Sequence, residues 1–103
     1  LMGVPLGETL ASAELLGLKT ALNEFVAYGA LANLEPEVLS ERSKLITLYA
    51  LCGFANFSSV GILVSGISAM APERKNDLIK VSLKALVGAT LASCMTGLVI
   101  GIF

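Results

Sequence analysis

Leu45-Ile46-Thr47-Leu48-Tyr49-Ala50-Leu51-Cys52-Gly53-Phe54-Ala55-Asn56-Phe57-Ser58-Ser59-Val60-Gly61 opens a run of 28 residues, ending at Pro72, that holds no charged side chain. As one straight helix the run would be about 42 Å long, well over a hydrocarbon core of ~30 Å. Its centre is rich in Gly, Asn and Ser. Glycine lowers helix stability, and Asn and Ser offer the backbone other hydrogen bonds. The stretch therefore reads as a discontinuous transmembrane helix broken near residues 53–56, with Asn56 as the N-cap of its second half. A continuous helix whose polar residues face its neighbours is the alternative. The break matters because irregular backbone at membrane depth survives only where protein buries it or where it lines a cavity. Broken helices recur at transporter substrate sites, where the amides that open the second half-helix are free to bind ligand oxygens.

The rest of the chain fits a membrane setting. Of 103 residues, 55% are hydrophobic and 15% charged, with a mean hydropathy of +0.83. A soluble domain of this size needs more polar surface. Residues 85–103 form a second uncharged run of 19 residues, close to the length of a membrane span. Lys80 and Lys84 precede it and can snorkel toward headgroups. Gly97 and Gly101 stand in Gly-x-x-x-Gly spacing, with Gly88, Ala92 and Ser93 adding small positions. These predict a close helix-packing face within one protein. The expected class is all-α, a polytopic membrane protein fragment lacking its N-terminal portion. The expected parts are a re-entrant helical hairpin (1–34), a connector with the discontinuous transmembrane helix (35–77), and a continuous C-terminal transmembrane helix (78–103). Connector 72–84 carries Arg74, Lys75, Lys80 and Lys84, against Arg42 and Lys44 in 35–44. That asymmetry places 72–84 in the cytoplasm and the C-terminus outside.

Residues 1–34 are apolar, but Glu8, Glu14, Lys19 and Glu24 interrupt them. No uncharged run there reaches ~20 residues. Two short helices joined by a turn near Gly17 to Asn23 fit better, either as a re-entrant hairpin or as an amphipathic pair on the surface.

Glu24 is the first candidate for chemistry. An ionisable side chain inside a membrane is costly unless paired or wet, and marks a functional site by default. It follows Asn23 at the start of a short helix, where the dipole and free amides favour a carboxylate. A purely structural capping role is the alternative. Asn56, Ser58 and Ser59 form the next polar cluster, at the break. Neutral hydrogen-bonding groups around one acceptor-only carboxylate suit a polyhydroxylated ligand and repel phosphate. Phe54 and Phe57 can stack on a flat ring or simply pack. Lys19 can pair with Glu24, cap a carbonyl at the hairpin turn, or face solvent; its spacing does not choose.

Several classes lack support. The net charge of −1 gives no field for nucleic acid. Cys52 and Cys94, without any histidine, make no zinc site. No nucleophile stands beside a base, so no enzyme is expected. A structural helical subunit or membrane anchor with no substrate site stays open as the alternative to a transporter.

Gly17-Leu18-Lys19-Thr20-Ala21-Leu22-Asn23-Glu24-Phe25-Val26-Ala27-Tyr28 resembles the signature of concentrative nucleoside transporters: Gly-x-Lys, three residues, Asn-Glu-Phe-Val-Ala, then an aromatic or Met. Residues 49–62, Leu1-Met2-Gly3-Val4-Pro5 and the Ala71-Pro72-Glu73-Arg74-Lys75 turn resemble that family too. The resemblance implies a multi-pass, homotrimeric symporter in the plasma or inner membrane, driven by sodium or protons. This chain would supply the second re-entrant hairpin and the last two transmembrane helices of the transport domain, the first of them unwound. It implies that this half grips ribose, with Glu24 accepting from its hydroxyls, Asn56 and Ser59 completing the network, and Phe54 packing on the nucleoside. The nucleobase and coupling ion would be held mostly by the remainder of the transporter chain. No cofactor or metal ligand is expected within these residues.

Overall fold

A computed structural model describes residues 2–103. Five helices form in order: α1 Thr9–Ala21, α2 Glu24–Ala32, α3 Glu41–Ala50, α4 Phe57–Met70 and α5 Lys75–Ile102. Short 3-10 turns, Leu6–Glu8 and Pro72–Arg74, precede α1 and α5. The described residues contain no strand.

Three helix starts are built alike. Asn23, Ser40 and Asn56 hold extended backbone, and each side chain accepts a hydrogen bond from an amide of the next turn. Such caps satisfy one of the four amides a helix start leaves without partners. The first cap sets the turn between α1 and α2. That turn is only Leu22 and Asn23, and Gly17 lies inside α1, so the turn is shorter than its sequence suggested. α2 folds back on α1, and Leu15, Ala27 and Leu31 join Leu39 and Leu51 in the core.

The uncharged run is interrupted as expected. α3 ends at Ala50, irregular backbone runs from Leu51 to Asn56, and α4 begins at Phe57. α3 also starts earlier than the apolar run, at Glu41, because Ser40 caps it. Glu8 reinforces that start: its carboxylate accepts from the Ser40 amide at 2.7 Å, from the Ser40 hydroxyl at 3.2 Å and from the Ser43 hydroxyl. These bonds, Ser43's above all, hold the Glu8 carboxyl below its ordinary 4.5.

α5 is the one described helix long and apolar enough to cross a membrane. Its buried residues are Ser82, Leu86, Ser93, Gly97 and Gly101, one face at helical spacing. That face lies chiefly on α3. A Cβ at Gly97 would sit 3.0 Å from the Ile46 carbonyl and 3.1 Å from the Ala50 Cβ; one at Gly101 would sit 2.9 Å from the Met2 carbonyl. The Gly-x-x-x-Gly pair is thus an internal packing face, and Ser93 belongs to it. Gly88 and Ala92 are exposed and do not. Arg42 clamps the same corner, donating to the carbonyls of Gly3 (2.9 Å) and Gly101. In the full-length protein, Gly97→Leu should cost about 1–3 kcal/mol by overpacking and lower the thermal unfolding midpoint by several degrees. Gly88→Ala should leave that midpoint nearly unchanged in the same thermal-shift measurement.

Candidate functional site

The turn of the hairpin lies against the break between α3 and α4. Glu24 is the first residue of α2, placed there by the Asn23 cap, whose Oδ1 accepts from the Val26 amide at 3.0 Å. Its Oε2 accepts from Nδ2 of Asn56 at 2.9 Å. Asn56 in turn caps α4, its Oδ1 accepting from the Ser59 amide at 2.7 Å. Asn56 has 0% exposure, so both functions of its amide are used inside the protein. The residues are 32 apart in sequence, and the two caps bring them together.

Lys19 serves the other side of the break. It is 1% exposed, and its Nζ donates to the carbonyl of Ala50, the last residue of α3, at 3.3 Å. Of the three roles left open for it, carbonyl capping is realised, but on α3 instead of the hairpin turn. Lys19 and Glu24 form no ion pair within 4 Å; among the described residues only Arg74 and Asp77 do. A cation therefore faces the negative end of α3, and an anion is held at the positive end of α4.

Ser59 and Phe54 lie on the α5 side. Both line a largely apolar cleft of about 140 Å³ with Ala55, Val60, Leu63 and Leu86. Phe54 is 80% exposed, so its ring is free to meet another surface. The structure thus joins Glu24, Asn56 and the Ser59 amide in one chain of hydrogen bonds and sets Phe54 beside Ser59. Ser58 and Phe57 are exposed on the first turn of α4.

Two contacts escaped the sequence reading. The Tyr28 hydroxyl and Cys52 Sγ are 2.8 Å apart, tying α2 to the irregular segment. The Ser12 and Thr47 hydroxyls are 2.9 Å apart in a buried contact between α1 and α3. Small polar residues inside apolar helices were the only available signal for the second.

The family described as "Na+ dependent nucleoside transporter C-terminus" matches residues 1–101. The chain belongs to this family. It is a family of transporters, not of enzymes. An uncharacterized transporter of Haemophilus influenzae is 44% identical over 108 residues, covering 100% of this chain and 26% of that protein. Nucleoside permease NupC of Helicobacter pylori is 38% identical over 107 residues, covering 100% and 26%. Solute carrier family 28 member 3 of Eptatretus stoutii is 41% identical over 116 residues, covering 99% and 17%. Among solved structures, CNTnw in an inward-facing substrate-bound state superposes with a TM-score of 0.86 at 41% identity, over 97% of this chain and 25% of that one. The chain spans about a quarter or less of the length of these relatives.

The Glu24–Asn56 contact makes a direct prediction. Asn56→Ser keeps an N-cap oxygen and loses the donor to Glu24, whereas Asn56→Asp keeps the cap and sets a second carboxylate against Glu24. Hydrogen bonds to charged groups are worth about 1.5–3 kcal/mol, and like charges at contact distance repel. The thermal midpoint of the full-length protein should fall in both variants, and further in Asn56→Asp.

Proposed function

We propose that this chain is the ribose-gripping half of the substrate site in a sodium-coupled nucleoside symporter. The observation that carries the reading is the Glu24 carboxylate, held by Asn56 at a break in an apolar helix. A carboxylate has about four acceptor positions, and Asn56 takes one. The others suit the adjacent hydroxyls of a ribose. In this reading Asn56, itself fully buried, aims the carboxylate, the Ser59 hydroxyl adds a contact, and Phe54 packs against the nucleoside.

Family membership supports sodium as the coupling ion and nucleosides as the cargo, since the matching family is described by both. Mouse sodium/nucleoside cotransporter 1, a 40% identical relative, carries both in its name. The hairpin α1–α2 is proposed to be re-entrant, α3 and α4 to be halves of one discontinuous transmembrane helix, and α5 to span the membrane. Residues outside this chain would complete the nucleobase and ion sites in an assembly of three copies.

The energies are adequate. Two ribose hydroxyls on Glu24, at about 1.5–3 kcal/mol each, supply a large part of the ~8 kcal/mol that micromolar binding requires. In proteoliposomes with the full-length protein, Glu24→Gln should cut sodium-driven uptake of labelled uridine and adenosine at least a hundredfold without loss of folded protein. Asn56→Ala and Ser59→Ala should weaken it about tenfold or more. Near-normal uptake by Glu24→Gln would remove the ribose role and return the chain to a structural one.

A further inference from the structure

Lys19 is the residue of the hairpin signature that ribose chemistry leaves unused. Its side chain is buried, yet it makes no ion pair with a carboxylate among the described residues. Its ammonium is given to backbone, the carbonyl of Ala50 at 3.3 Å. That carbonyl closes α3, and the chain then turns irregular from Leu51 to Asn56. The end of a helix carries partial negative charge on carbonyls that lack intrahelical partners. Inside a broken membrane helix such an end is a place where a transporter binds its mobile cation. Here a tethered cation already occupies it.

We propose that Lys19 is the resident cation of this break. Its ammonium takes the position that a mobile ion would otherwise take at the end of α3, locks α3 to the hairpin, and keeps the coupling ion out of this half of the site. The inference rests on the transporter reading above. The opposite polarity of the neighbouring contact supports it: the same hairpin turn presents Glu24, through Asn56, to the start of α4. One turn thus neutralises both ends of the break and leaves it without a demand for a free ion. Lys19 is a positioning residue, since it reaches the ligand only through α3 and the hairpin.

The test uses the full-length protein. Lys19→Met keeps most of the volume and removes the charge. Lys19→Ala removes both and opens a space that a small alkylammonium can enter. Lys19→Met should raise the uridine concentration for half-maximal uptake at least tenfold, with a smaller change in maximal rate. Butylammonium at millimolar concentration should raise the thermal midpoint of Lys19→Ala and restore part of its uridine affinity, with no such effect on Lys19→Met or the wild type. An unchanged half-saturation in Lys19→Met, or no response of Lys19→Ala to butylammonium, overturns the proposal.

The wild type supplies a readout that requires no variant to fold. Acetylation with acetic anhydride, read by mass spectrometry, should leave Lys19 unmodified at zero and at saturating sodium while the exposed Lys75 and Lys80 react. Acetylation of Lys19 once sodium is added would mean that the ion displaces it, against the proposal. A wild type that moves no nucleoside would sink the transport reading, while the labelling and thermal measurements would still report on Lys19.

Discussion

A helix broken among apolar residues leaves two ends of opposite polarity, and both need partners. The rest of this structure follows from how that is done. The α1–α2 turn carries Lys19 and Glu24 on either side of the Leu22–Asn23 corner. The ammonium meets the last carbonyl of α3, and the carboxylate meets the cap of α4. Each charge is compensated by a helix end, and each helix end by a charge. Asn56 is the hinge of the arrangement, because one amide both starts α4 and fixes Glu24.

The remaining contacts hold the break in place. Glu8 and Ser40 secure the start of α3, while Lys19 secures its end. Along its length α3 is pressed on α5 where Gly97 leaves room for its backbone and Gly101 for the Ile46 side chain and the Met2 carbonyl, and Arg42 clamps the far corner. α3 is therefore fixed at both ends and along one side. α4 has no buried residue of its own, and large apolar side chains such as Phe25, Ile62 and Leu91 are exposed. That surface suits apolar surroundings.

Much of this was legible from local chemistry. A charge-free run too long for one span, with Gly, Asn and Ser at its centre, announced the break, and Asn56 was readable as a cap because capping is a local act. Glu24 stood out because a carboxylate is expensive in apolar surroundings. Gly97 and Gly101 were readable as a packing face, but which face of α5 meets α3 was not: Gly88 and Ala92, grouped with them, are exposed off that face. The partner of Lys19 lies 31 residues away, and no spacing rule reaches across a fold. Helix starts also shifted toward the polar side, to Glu41 and Lys75, because caps and turns, not the edges of apolar runs, decide where a helix begins.

The central claim is that Glu24 meets the sugar. Equilibrium binding of uridine and of 2′,3′-dideoxyuridine to the purified full-length protein, in wild type and Glu24→Gln, tests it as a cycle. The account predicts that loss of the two hydroxyls weakens wild-type binding by roughly a hundredfold or more, in line with two hydrogen bonds to a charged group, and that the loss largely disappears in Glu24→Gln. The same ratio in both proteins would mean that the carboxylate does not touch the sugar, and would contradict the account.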